Sequence, residues 1–402
     1  MHTLKETAKK HLSFLCETIE NRCVGSKGNL AATKYFQEQL EANHWQIESQ
    51  EFDAFDWESE KAFIETETIK LDAFSSPYSE PCNMEAEVAI VSTVDELEKA
   101  SARNKILVVK GELAKEQLMP KNFIFYNPDH HKKIISLFET SGAKALIFIV
   151  NKSGAYEGGE YPFPVVEDGD FKIPSVYISE ETGEQLMIHL SKKIKLISST
   201  TITPSLGYNI IGRKGADDAK KIAITAHIDA KKGSPGAIDN GTGVVTMLLL
   251  SELLREYNGS YQVELVALNG EDYYSVPGQM VYIQNKQGDF SDVILNINID
   301  GAGLNNGNTS FALMDLKEAH TKTIKTLFSE FPGMTEGKPW VQGDHSIFLQ
   351  YGVPAVAISS EWLLNNLESQ QITHTENDNP SIVDINKITE LAEAISRLIT
   401  KL

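Results

Sequence analysis

Ile222-Ala223-Ile224-Thr225-Ala226 is a short apolar run rich in β-branched residues, and it ends in His227-Ile228-Asp229. Such a run, bounded by polar residues, predicts a buried strand. Downstream, a helical pattern over Gly243–Glu256 leads to a second strand at Val263–Leu268. A further helical pattern, Pro277–Asn285, precedes a third strand at Val293–Ile299, and the helix Ala319–Phe331 precedes a fourth at Ala355–Ser359. Ile382, Val383, Ile385, Ile388, Leu391, Ala394, Ile395 and Leu398 recur at near-helical spacing and predict a closing helix over Ser381–Leu402. Strands alternating with helices predict an α/β domain built on a wound sheet.

Upstream the texture differs. Two amphipathic helices are predicted between Leu4 and about Asn43, separated by the turn-rich Cys23-Val24-Gly25-Ser26-Lys27-Gly28-Asn29. An extended region runs from Trp45 to about Phe74. Short strands separated by polar turns then continue to Pro204, among them Ile106–Val109, Phe123–Tyr126, Ala145–Val150 and Val176–Ile178. The expected organisation is one domain contributed by residues 1–57 and 204–402, interrupted by a smaller β-rich domain at 58–203.

Composition narrows the partners. The chain has 402 residues, 37 Lys+Arg against 56 Asp+Glu and a net charge of −19, which disfavours nucleic acid and anionic membrane surfaces. No apolar stretch approaches the ~20 residues a membrane span needs. Met1–Phe14 scatters Lys5, Glu6, Lys9 and Lys10 through a helical pattern and lacks the apolar core of a signal peptide, so a cytoplasmic location is expected. Three cysteines with no C-x-x-C pair imply neither a disulfide framework nor a thiolate metal site.

The polar residues that carry chemistry stand where the strands end. His227 and Asp229 close the first, Asn269-Gly270-Glu271-Asp272 the second and Asp300-Gly301 the third. Pro235-Gly236-Ala237-Ile238-Asp239-Asn240-Gly241 introduces the helix between them, and His374-Thr375-Glu376-Asn377-Asp378 precedes the last helix. In an open α/β sheet, ligands bind beyond the carboxyl ends of strands. Two His and three carboxylates suit zinc, and an Asp shared between two ions would serve a two-metal hydrolytic site. Asp229, two residues beyond His227, is placed to orient its imidazole. Of the pair Glu271-Asp272, one side chain can face metal and the other substrate.

These blocks resemble the co-catalytic zinc aminopeptidase family that includes bacterial leucyl aminopeptidase, glutamate carboxypeptidase and glutaminyl cyclase. Gly343-Asp344-His345-Ser346-Ile347-Phe348 followed by Gly352-Val353-Pro354, and Arg22-Cys23-Val24-Gly25-Ser26 near the start, are similar to further segments of that family. The resemblance implies a three-layer α/β/α zinc-peptidase domain with a mixed central sheet. It implies His227, Asp239, Asp272, Asp300 and His374 as metal ligands, with Asp239 bridging, Glu271 as general base and Asp229 orienting His227. Asp344 and His345 fall on the substrate side. Two departures stand out: Asp272 replaces the commoner Glu, and the loop Tyr273–Pro277 is one residue longer than the usual form. In the middle region, Gly142–Phe148 and Ile173-Pro174-Ser175-Val176-Tyr177-Ile178-Ser179 with Thr182–Leu186 resemble a protease-associated domain.

The implied function is a metal-dependent exopeptidase, an aminopeptidase that releases N-terminal residues from peptides by hydroxide attack. Zn2+ is the expected cofactor, two ions, with Co2+ or Mn2+ satisfying the same ligands. The alternatives are a glutaminyl cyclase-like acyltransferase and a non-catalytic peptide-binding protein. Taken singly, a His is more often structural than a ligand; the ordered array outweighs that reading. His130 and His131 read as a solvated helix start. Asp300-Gly301-Ala302-Gly303 with Gly307 approaches a dinucleotide fingerprint, but a loop and not a helix follows it.

Overall fold

Along Lys221–His227 the side chains alternate between two faces, as a strand requires. Ile222, Ile224 and Ala226 join Val263, Leu265 and Ala267 of Gln262–Leu268, Leu295, Ile297 and Ile299 of Val293–Ile299, and Val356 and Ile358 of Ala355–Ser360 in one buried cluster. These four strands are parallel neighbours in the order Gln262–Leu268, Lys221–His227, Val293–Ile299, Ala355–Ser360. Thr309–Met314 adds antiparallel beyond Ala355–Ser360 and pairs in parallel with Met334–Glu336. On the other side, the end of Lys193–Lys214 pairs antiparallel with Gln262–Leu268, so the central sheet is mixed. The computed structural model describes residues 3–123, 127–152, 160–340, 342–367 and 370–402. The strand expected over Phe123–Tyr126 falls on 124–126, outside the described residues.

The chain divides into two compact units, Met1–Ala54 with Ser205–Leu402, and Phe55–Pro204. In the first, the helix Thr242–Leu253 is buried on every side from Thr242 through Ser251, where an amphipathic helix would bury one stripe. Leu4–Ser13, Lys27–Ala42 and Ile385–Lys401 pack against it. Truncating one of its buried leucines, such as Leu249→Ala, costs about 2–5 kcal/mol. On the other face His345–Gln350 packs against Val293–Ile299 and Ala355–Ser360, and the Tyr282, Phe290 and Phe348 rings, 5.6–6.0 Å apart, join it to Pro277–Asn285. Helices therefore cover both faces.

That second face is partly polar. The Thr225 hydroxyl donates to Asn298 Oδ1 at 2.7 Å and accepts from Asn296 Nδ2 at 3.1 Å, all three residues being buried. The closing helix begins at Ile385, later than Ser381, because Asp384 caps it by accepting from the Asn386 amide while Pro380–Ile382 forms a separate 3-10 turn.

In the second unit the strands run in the order Lys70–Ser75, Ser175–Ile178, Ala145–Ile149, Ile106–Val109, Cys82–Val91, with the start of Lys193–Lys214 beyond. The four from Ser175–Ile178 to Cys82–Val91 are parallel, and helices Val94–Lys99, Asp129–Thr140 and Glu180–Ile188 accompany them. Two apolar clusters flank this sheet, one around Phe138, Phe148 and Phe171, the other around Ile64, Ile147 and Leu186. No helix among the described residues is long and apolar enough to cross a membrane.

Candidate metal centre

His227 ends its strand at the point where strand order reverses, since the chain next pairs on one side at Gln262–Leu268 and then on the other at Val293–Ile299. Splayed connections leave a crevice at such a point. Asp300 follows Ile299 directly, and Glu271 and Asp272 come in the short turn after Leu268. Asp239 arrives from an irregular loop whose φ/ψ of −116°/87° at Asp239 and −133°/43° at Asn240 interrupt the helical course. His374 comes from far along the chain and has φ +62°.

These five side chains meet. Asp239 lies between the two imidazoles, with Oδ1 3.0 Å from His227 Nε2 and Oδ2 3.1 Å from His374 Nε2. Asp300 Oδ1 is 3.6 Å from His227 Nε2, and Asp272 Oδ1 is 3.2 Å from His374 Nε2. The arrangement is two triads, His227–Asp239–Asp300 and His374–Asp239–Asp272, sharing one carboxylate.

Burial alone would keep both histidines neutral. The carboxylates of Asp229, Asp239 and Asp300 outweigh it at His227, and Asp272 and Asp239 do so at His374, raising both well above the ordinary imidazole range. Burial and the Asp239 charge push Asp272 up, yet attraction to His374 and His227 leaves it below its usual value. The carboxylates thus favour positive charge at this point, which a divalent cation held by neutral imidazoles would supply. The donor set fits zinc: two imidazoles and three carboxylates, with His227 Nε2 and Asp272 Oδ2 buried and outside any hydrogen bond. Ligand atoms of His227, Asp239 and Asp272 all lie within 4.8 Å of one another.

Glu271 adjoins this cluster. Burial, reinforced by the charges of Asp272, Asp300 and Asp344, pushes its carboxyl well above the usual range although His227 pulls the other way. Its turn is held by Asp229, which accepts from three successive amides: Gly270 at 2.7 Å and Glu271 at 3.2 Å on Oδ1, Asp272 at 3.0 Å on Oδ2. Gly270 has φ +116°, and a Cβ there would come within 2.8 Å of Pro277, so only glycine fits. The expected Asp229–His227 contact is 3.7 Å, too long for a hydrogen bond. Asp229 thus holds the turn bearing Glu271 and Asp272 while its carboxylate stands 3.7 Å from the His227 imidazole. The longer loop that follows places Val276 at φ +41°, an outlier for a β-branched residue.

Asp344 and His345 are both buried. Gln279 Nε2 donates to Asp344 Oδ1 at 2.9 Å, and burial pushes the Asp344 carboxyl up to about 7. His345 Nε2 bonds the Trp340 carbonyl at 2.9 Å, which makes Nε2 the donor and leaves Nδ1 as an acceptor.

Several supporting residues were given no role from the sequence. Asn29 and Asn269 exchange side-chain amide bonds of 2.8 and 2.9 Å, tying the second helix to the turn that carries Glu271. Asn209 accepts from the Asn269 amide at 3.0 Å. A lone Asn carries no motif; the only available signal was that Asn269 immediately precedes Gly270-Glu271. A second His/Glu group, Glu116, His130 and His131, lies in the other unit. There His131 is buried, contrary to a solvated helix start, and the Met119 amide donates to its Nδ1 at 3.1 Å. The neutral ring therefore carries its proton on Nε2, and the nitrogen facing Glu116 is a donor with no lone pair for a metal.

Residues 209–399 match the profile of peptidase family M28. Aminopeptidase YwaD of Bacillus subtilis (strain 168) is 30% identical over 169 residues, 41% of this chain and 35% of that protein. A probable leucine aminopeptidase 2 of Aspergillus oryzae is 20% identical over 274 residues, 63% of this chain and 49% of that protein. The matched stretch thus spans about a third to a half of these curated relatives. Among solved structures, an aminopeptidase from Aneurinibacillus sp. strain AM-1 superposes with a TM-score of 0.76 at 19% identity, covering 98% of this chain and 93% of that one.

Proposed function

We propose, from the premise that residues 209–399 carry the peptidase family M28 pattern, that the protein is a metal-dependent exopeptidase, an aminopeptidase releasing N-terminal residues from peptides. The observation that carries this reading is the pair of triads sharing Asp239, with Glu271 beside them. His227, Asp239 and Asp300 would hold one zinc ion, and His374, Asp239 and Asp272 the other. Zinc bound there supplies Lewis acidity toward water and the scissile carbonyl. Glu271 accepts the proton of the attacking water and delivers it to the leaving amine. Asp229 keeps the Glu271-Asp272 turn in register, so that base and ligand move as one unit. Asp344 and His345 back the site on the side of Asp300. We assign residues 58–203 as a protease-associated-like insert, on the likeness of Gly142–Phe148 and Ile173–Leu186.

The test is hydrolysis of a panel of aminoacyl-anilides and of a glutaminyl peptide, with and without chelator. Chelator-sensitive release of aniline from the aminoacyl substrates is expected. Ammonia release from the glutaminyl peptide would instead indicate cyclisation, and silence on both would indicate a binding protein.

A further inference from the structure

The loop that delivers Asp239 is gripped from two sides. On one side lies Arg22, buried to 2% exposure. Its guanidinium donates from Nη1 to the Pro235 carbonyl at 2.8 Å, from Nη2 to the Gly236 carbonyl at 2.7 Å and from Nε to the Ile228 carbonyl at 3.2 Å. Ile228 sits between His227 and Asp229, so one guanidinium ties the end of the ligand-bearing strand to the start of the loop. The fit is close: Gly236 has φ +60°, and a Cβ there would stand 2.8 Å from Arg22 Nη2.

On the other side lies Asp378, fully buried. Its backbone carbonyl accepts from the Ala237 amide at 3.1 Å, its Oδ1 from the Ile238 amide at 2.6 Å and its Oδ2 from the Asp239 amide at 2.9 Å. Three consecutive amides of an irregular loop, which no helix or sheet ladder serves, find acceptors on one residue. Asp378 also belongs to the His374–Asp378 segment, so the bond that seats Asp239 seats it against His374.

We propose that Asp378, with Arg22 as its counterpart, is a positioning residue that sets the bridging carboxylate of Asp239 at the right distance from both histidines. The inference rests on the metallopeptidase reading above. Asp378 repeats what Asp229 does across the site, where a buried carboxylate takes three successive amides of the Gly270–Asp272 turn. Two buried aspartates thus cross-link the ligand-bearing segments in pairs: His227 with Asp272, His374 with Asp239. Arg22, from the segment between the first helices, also attracts the Asp378 carboxylate. A bridging carboxylate must present its two oxygens to two different sites, so a small shift of this loop disturbs both.

Asp378→Asn keeps the shape but turns an NH2 group toward one of the two amides, setting donor against donor. The probe is cobalt, titrated into the full chain in chelator-buffered solution and followed by its visible absorption, which reports ligand geometry. Wild type should take up two ions. Asp378→Asn should bind at least one of them about 10- to 100-fold more weakly, with an altered cobalt band. A core variant, Ile395→Val, should lower the melting temperature but leave both readouts at wild-type values. Should Asp378→Asn not fold, Arg22→Lys, which keeps the charge and loses the forked grip on Pro235 and Gly236, carries the same expectation. Wild-type cobalt affinity and spectrum in the folded variant would overturn the proposal, as would an equal loss in Ile395→Val. If wild type itself takes up no cobalt, the metallopeptidase reading falls, and this inference falls with it.

Discussion

Replacing Glu271 by Gln separates the base from the ligands more cleanly than any other single change. The two side chains are nearly isosteric, and the backbone of the turn is held independently by Asp229, so the substitution should leave the loop in place. The amide cannot accept a proton, which is the function the Glu271 carboxyl is assigned. A positioned general base contributes about 10²–10⁴ in rate, or about 2.7–5.4 kcal/mol at 1.36 kcal/mol per decade. We therefore expect kcat on an aminoacyl-anilide to fall by that range while KM stays within about threefold. Metal content by elemental analysis should equal that of wild type, because the two triads do not use Glu271. Turnover within tenfold of wild type at full metal loading would refute the base assignment. Loss of one metal equivalent would refute it differently, by making Glu271 a ligand.

Asp239→Asn removes the shared negative charge from both triads; bound metal should drop below two equivalents, and unchanged occupancy by elemental analysis would exclude a bridge. Thr225→Val strips the partner from buried Asn298 Oδ1 and weakens the anchoring of Asn296, costing about 2 kcal/mol in urea unfolding at equal m-value; a difference below about 0.5 kcal/mol would count against the polar seam. His11 shares a 2.8 Å bond through Nδ1 with the Tyr35 hydroxyl, and burial, then the Lys10 charge, lowers its pKa to about 4. Its folded pKa lies below the ~6.5 of the unfolded chain, so the unfolded state takes up the proton first. Its contribution is full above about pH 6.5 and is lost as pH falls toward 4, by up to about 3 kcal/mol. The stability gap between wild type and His11→Gln should shrink accordingly between pH 7 and pH 4.5, and a constant gap would show that His11 is not the titrating group.

Much of the scaffold was legible because hydrophobic period is a local property. Ile222–Ala226, Val263–Leu268 and Val293–Ile299 are apolar runs too short for helices, and each becomes a strand of the parallel core. The ligand candidates were legible for the same reason, since each stands just past such a run or beside a helix start. What escaped was set by contacts distant in sequence. Arg22 could be quoted as part of a familiar segment, yet nothing local says that its guanidinium reaches Pro235 and Gly236, more than two hundred positions away. Asp229 could be placed near His227 because alternate strand residues share a face, but nothing local says that its carboxylate also takes the amides of Gly270–Asp272. His131, placed beside Lys132 and Lys133, looked solvated and is buried, because its helix packs that flank inward.

The amino-acid order by itself therefore determined which residue types are offered at the strand ends: two imidazoles, three carboxylates and an adjoining acid. Only the tertiary structure decided that Asp239 stands between the two histidines, about 3 Å from each, and that Asp229 and Asp378 each hold the opposing turn by its backbone amides. Side-chain chemistry belongs to a residue wherever it lies, but a shared carboxylate is a relation among segments that meet only when the sheet closes its crevice and buried amides must find acceptors.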